Sequence, residues 1–152
     1  MKCLEYPFDG QYLLKKKKRI RKELLEDGSS RIVRKIAMLG GSTTNDIRAM
    51  LELFLLNYGI APEFYESEYD QYYEEAMFPG EALTAFAPDI VYLHTSGRNI
   101  SSFPALADSQ ERVEEMLEQE VGKYTAMWES IREKFHCAVI QNNFEYPYYR
   151  LL

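Results

Sequence analysis

Short apolar runs and longer amphipathic stripes alternate along the chain from residue 34 onwards. Ile36–Leu39 is an apolar run that stops at two glycines, Gly40 and Gly41. A Ser-Thr-Thr-Asn-Asp cluster follows and opens a segment over 45–57. There Ile47, Met50, Leu51, Phe54 and Leu55 recur at the i, i+3, i+4, i+7, i+8 spacing of a core-facing helix, closed by Gly59. The pattern predicts a strand, a tight turn and a helix. Pro62 precedes a second short strand, Glu63–Glu66. A mixed acidic and aromatic segment, Tyr69–Met77, leads to a turn at Pro79-Gly80 and a short helical piece ending at Phe86. Pro88-Asp89 starts a third strand, Ile90–His94. After a Gly- and Ser-rich loop, Asp108 or Ser109 caps a long helix whose stripe is Val113, Leu117, Val121, Tyr124, Trp128, Ile131 and Phe135. Cys137–Gln141 is the fourth strand.

Strands separated by helices of this length predict parallel βαβ units with right-handed crossovers. The expected fold is α/β, a flavodoxin-like parallel sheet in the order 2-1-3-4 flanked by helices. Such sheets usually continue to a fifth strand, so the domain over 31–152 is expected to be truncated at its C-terminus. Residues 1–30 form an N-terminal helical extension. Asp9 can cap a helix over Leu13–Leu25 with Leu13, Ile20 and Leu24 as its apolar stripe, ended by Asp27-Gly28. This helix reads as an appendage or a clamp across the sheet. Seven of the eight residues from Lys15 to Lys22 are basic, which fits a solvated face or a contact with anionic lipid, RNA or an acidic partner.

Composition narrows the function classes. The chain has 152 residues, 46% hydrophobic, a net charge of −6 and a pI near 5.0, enough for one domain with a core. The acidic balance argues against a nucleic-acid partner for the whole chain. Cys3 and Cys137 have no metal-ligand spacing and read as reduced thiols of a cytoplasmic protein. No apolar stretch approaches the roughly 20 residues that cross a bilayer, so no membrane association by a spanning helix is expected. Several of the 12 tyrosines and 8 phenylalanines cluster in residues 63–73 and 144–149, where core packing and partner contact are both open.

In the predicted sheet every carboxyl-end loop is polar. Gly41-Ser42-Thr43 follows strand one, Glu66-Ser67-Glu68 strand two, His94 to Asn99 strand three, and Gln141-Asn142-Asn143 strand four. Open α/β sheets bind ligands at this edge, and the order 2-1-3-4 brings Ser42 beside the His94–Asn99 loop. Ser42 is the candidate nucleophile, and a serine needs a base within hydrogen-bond reach. His94 lies at the correct edge, as a base or as a strand-end histidine bonded to backbone. His136 lies at the opposite edge as a helix C-terminal partner. Asn99 or the Gly97 N–H could donate to an oxyanion, and Gly41, Thr43, Arg98 and Asn142 complete the candidate binding set. Glu66, Glu68 and Asp70 read as a solvated loop, and neither a metal nor a cofactor is expected in this chain.

Gly40-Gly41-Ser42-Thr43 and Gly97-Arg98-Asn99 resemble the first and third blocks of the SGNH (GDSL-type) hydrolases, Gly-Asp-Ser and Gly-x-Asn-Asp. More specifically, residues 36–46, 64–72, 86–91 and 141–145 resemble the N-terminal domain of FkbH-like proteins. There an SGNH-like domain precedes a phosphatase domain of the HAD superfamily, subfamily IIIC. The resemblance covers roughly residues 34–152. It implies Ser42 as nucleophile and Asn99 as oxyanion donor, with a C-terminal HAD domain and an acyl-carrier-type protein as partners. The chain departs from the pattern at Gly41, where the hydrolases have Asp, and at Ile100. It lacks the Asp-x-x-His block and the HAD motif Asp-x-Asp-x-Thr/Val. Three functions follow as expectations. The first is a docking or substrate-presenting module without complete catalytic machinery. The second is a serine esterase or acyltransferase using Ser42. The third, an anion or nucleotide binder at the Gly40–Thr44 turn, lacks the P-loop lysine.

Overall fold

The computed structural model describes residues 1–145. A 3₁₀ turn (Lys2–Leu4) precedes α1 (Gly10–Glu26), β1 (Ile32–Gly40), α2 (Asn45–Asn57), β2 (Ile60–Glu66), α3 (Tyr72–Met77), α4 (Glu81–Phe86), β3 (Ile90–His94), a second 3₁₀ turn (Gly97–Asn99), α5 (Gln110–Phe135) and β4 (Ala138–Gln141). The four strands form one parallel sheet in the order β2-β1-β3-β4. This is the predicted α/β architecture, with the predicted strand order and an N-terminal helix.

Several boundaries move outward for physical reasons. β1 and β2 start earlier than the apolar runs because Ile32 pairs with Ile60, and main-chain pairing does not require buried side chains. Pro62 lies inside β2, opposite Arg34. β2 is an edge strand, where a missing N–H can face outward without breaking a ladder. α1 starts at Gly10, and Asp9 Oδ1 accepts from the N–H groups of Gln11 (2.9 Å) and Tyr12 (3.1 Å).

Alternation along β1 divides the core. Ala37 and Leu39, with Val91 and Leu93 of β3, face α3, α4 and α5. There they pack with Tyr72, Ala76, Leu83, Tyr124, Met127 and Ile131. The β1–β2 and β2–β3 connections run in opposite directions along the sheet, so right-handed crossovers place α2 on the other face. A second cluster joins Leu4, Leu13, Ile20 and Leu24 to Leu53 and Leu56 of α2. Thus α1 packs as an outer layer on α2 rather than clamping across the strands. Lys17–Asp46 (2.7 Å) and Arg21–Glu52 (2.8 Å) ion pairs run between the two helices. Sandwiched between sheet and α1, α2 buries Leu53 and Leu56 most deeply, and the predicted stripe is only half-buried.

The long stripe of α5 is also split. Tyr124 and Ile131 are in the core, but Leu117 is 63% and Val121 53% exposed. The core-facing positions of the first half are instead Met116, Glu120 and Lys123, which run on to Met127 at 4-3-4 spacing.

Candidate functional site

Short hydrogen bonds to backbone order the carboxyl rim of the sheet. Gly40 N–H donates to Ser67 Oγ (3.0 Å), and Gly41 N–H donates to the His94 carbonyl (2.8 Å). Ser96 caps the 3₁₀ turn after β3 by accepting from Arg98 N–H, while Asn99 Oδ1 accepts from Ser96 N–H at 2.9 Å. The Asn99 amide then reaches back across the sheet. Its Nδ2 donates to the Gly41 carbonyl (3.1 Å) and to Asp70 Oδ1 (3.2 Å). The loops after β1, β2 and β3 meet at this one carboxamide.

That meeting explains Gly41. A Cβ at this position would lie 2.3–2.6 Å from the Asn99 carboxamide, closer than any non-bonded contact allows. Asp70 holds a left-handed backbone (φ 61°), a conformation that Asp tolerates better than most residues. The Asn99 carbonyl accepts from Lys123 Nζ (3.0 Å), which also reaches Ser101 Oγ (3.3 Å). Asp70, Tyr72, Tyr73, Arg98, Asn99 and Lys123 line an open polar hollow of about 590 Å³.

Ser42 lies on the same rim, half-buried and next to Gly41, but is not among the residues lining that hollow. Among the described residues its hydroxyl has no hydrogen-bond partner. His94 Nδ1 sits 3.3 Å from the Tyr92 hydroxyl, two residues back on the same strand face. Thr43 is exposed, and Arg98 is exposed at the mouth of the hollow. Gly97 is buried, with Glu145 as the nearest neighbour of a notional Cβ at 3.6 Å. Asn142 has a structural engagement: its Oδ1 accepts from Thr95 N–H (3.0 Å) and its Nδ2 donates to the Thr95 carbonyl (2.7 Å). His136 occupies the left-handed C-cap of α5.

Three rim residues escape the sequence reading. Glu66 is not a solvated side chain: it accepts from Thr44 Oγ1 (2.9 Å) and pairs with Arg48 (2.6 Å). Asp70 is tied to Asn99. Lys123 stands on the core-facing arc of α5, and the Met116-Glu120-Lys123-Met127 spacing is the signal that could have found it. Beneath the rim, burial pushes the Tyr124 hydroxyl well above the ordinary tyrosine range, with Tyr72 and Glu120 adding to it.

Among the described residues no group of three or more His, Cys, Asp or Glu could hold a metal ion, and no helix is long and apolar enough to cross a membrane. No protein-family model and no curated protein matches the chain. Among solved structures, the chain is similar to the N-terminal part of the protein BF1531 from Bacteroides fragilis, containing a phosphatase domain complexed with Mg. The TM-score is 0.66 at 19% identity, over 86% of this chain and 33% of that one. This chain therefore spans about a third of the solved chain's length, and what it shares with that protein at this identity is the four-stranded parallel fold described above.

Proposed function

We propose that this chain is the SGNH-hydrolase-like N-terminal module of an FkbH-like, HAD-type phosphatase or glyceryl-transfer protein, serving by itself as a docking or substrate-presenting domain. A C-terminal HAD domain and an acyl-carrier-type protein are its partners in this reading. The likeness to part of a phosphatase-containing protein supports the origin.

One observation carries the catalytic half of the reading. Both hydrogens of the Asn99 amide point at protein acceptors, Gly41 O and Asp70 Oδ1, so none is left to meet an oxyanion. Oxyanion stabilisation depends on donors already aimed at the developing charge. The candidate base His94 is directed to Tyr92, and Ser42 has no activating partner among the described residues. A serine hydroxyl without a base is a weak nucleophile. The rim works here as a latch that ties three loops together.

The test is hydrolysis of short p-nitrophenyl esters at high protein concentration, with fluorophosphonate labelling of the same sample. The expected result is no turnover above the Ser42→Ala variant and no labelled serine. Turnover lost on Ser42→Ala, with label on Ser42, would establish the esterase instead.

A further inference from the structure

The first half of α5 carries an apolar face that nothing in the described structure covers. Val113, Leu117 and Val121 recur at i, i+4, i+8, exposed by 36%, 63% and 53%. With Phe103, Trp128 and Phe144 they line an open groove of about 440 Å³. A stripe of this spacing beside a groove is the geometry that receives an amphipathic helix.

The charge around the groove selects its occupant. On the solvent side of the stripe, the helical repeat places Glu111, Glu114 and Glu118 in one ridge. Glu111 and Glu118 have no ion-pair partner among the described residues. Residues 111–120 hold five glutamates against the single Arg112. Two such faces cannot pair symmetrically without setting like charges against each other. The occupant must be basic, helical and apolar along one line.

The chain itself has such a surface. α1 turns Leu13, Ile20 and Leu24 inward, and its opposite side presents Lys15, Lys18 and Lys22 between Leu14 (44% exposed) and Leu25 (48% exposed). Lys15, Lys16 and Lys18 have no ion-pair partner among the described residues. Leu14 and Leu25 are eleven residues apart, which returns them to nearly the same helical angle.

We propose that the apolar groove of α5 and the glutamate ridge beside it in one copy dock the basic outer face of α1 from a second copy, head to tail. The two surfaces differ, so the contact is heterologous. It extends with concentration unless the rotation closes a ring.

Sedimentation of the full chain over a range of concentrations tests this. Weight-average mass should rise with concentration at low salt and fall as salt screens the charge complement. Leu117→Glu and, separately, the double variant Lys15→Glu/Lys18→Glu should each weaken association by about tenfold or more. Each replaces exposed side chains, and a circular dichroism melt confirms that it folds; Val121→Glu substitutes for Leu117→Glu if the latter does not.

Mixing gives the decisive arm. The Leu117→Glu variant keeps an intact α1 and the lysine variant keeps an intact groove, so an equimolar mixture should form a capped heterodimer. A chain that stays monomeric at millimolar concentration overturns the proposal. So does association that neither variant weakens, or a mixture that stays monomeric while wild type associates. Binding of a different basic protein to the groove, with the wild-type chain monomeric, would also overturn it.

Discussion

Two amphipathic helices, α1 and α5, meet opposite fates in this molecule. The stripe of α1 (Leu13, Ile20, Leu24) is 1–3% exposed, sealed by Leu53 and Leu56 of α2. The first-half stripe of α5 (Val113, Leu117, Val121) has the same chemistry and a similar spacing, yet is open to solvent. The difference extends to the flanks of the sheet. The β2 flank has a helix on its face and a second helix on that one. Among the described residues, the β4 flank ends in a four-residue strand and an uncovered groove. Hydrophobic periodicity tells which way a side chain faces relative to its own helix. It does not tell whether another surface is there to meet it.

The largest expected effect sets the two stripes against each other. Leu13→Ala removes a fully buried side chain between two helices and should cost about 2–4 kcal/mol of unfolding free energy. Leu117→Ala, read in dilute solution where copies are apart, should stay within about 0.5 kcal/mol. Urea titration followed by circular dichroism measures both. Equal losses at the two positions would mean that the α5 stripe is covered even in the monomer, and the contrast between the helices would be gone.

A second effect contrasts how the flanks are tied at the rim. On the β4 flank, Asn142 satisfies both the N–H and the carbonyl of Thr95, a residue with 0% exposure, and Gln141 Nε2 donates to its hydroxyl (3.0 Å). Asn142→Ala leaves two buried main-chain groups without partners and should cost about 2 kcal/mol. On the β2 flank the corresponding tie is Ser67 Oγ accepting from Gly40 N–H. There only one main-chain donor, Gly40 N–H, would lose its partner, while Ser67 N–H still donates to the Met38 carbonyl (3.0 Å), so Ser67→Ala should cost about 1 kcal/mol. A larger loss at Ser67 than at Asn142 would reverse the ranking of the two flanks.

The sheet was legible because its signals are local. The Ile36–Leu39 run, the Gly40-Gly41 stop and the Ile90–His94 run mark strands. The lengths of the connections then leave few topologies, of which 2-1-3-4 is the observed one. The placement of side chains on the rim was less legible. Asn99 could be assigned to the rim from its position after β3, but its engagement depends on Asp70, which is 29 residues away and reaches it only through a left-handed backbone. Asn142 read as a ligand-binding amide, because nothing in a sequence distinguishes a carboxamide facing solvent from one clasping a strand end. Lys123 was hidden by the apolar stripe drawn one helical face away. The aromatic run after Phe144 lies outside the described residues.

The smallest effect concerns two tyrosines, Tyr65 on β2 and Tyr92 on β3, and is read at alkaline pH. Burial pushes the Tyr65 hydroxyl up to about 12, and Glu75, which accepts its hydrogen bond at 2.9 Å, adds to the shift together with Glu68. Tyr92 is raised by burial alone. In the unfolded chain a tyrosine loses its proton near pH 10, whereas folded Tyr65 holds it to about 12. Across that window the native state binds more protons than the unfolded one, so stability falls as pH rises. Below pH 10 this contribution is constant. Tyr65→Phe should therefore flatten the alkaline loss of stability between pH 10 and 12, while Tyr92→Phe, lacking an anionic neighbour, should flatten it less. Thermal melts at half-unit pH steps, with phenolate absorbance at each, give the comparison. If Tyr65→Phe follows the wild-type alkaline profile, desolvation against Phe86 and Glu75 does not hold that proton, and the closed flank is wetter at β2 than its packing implies.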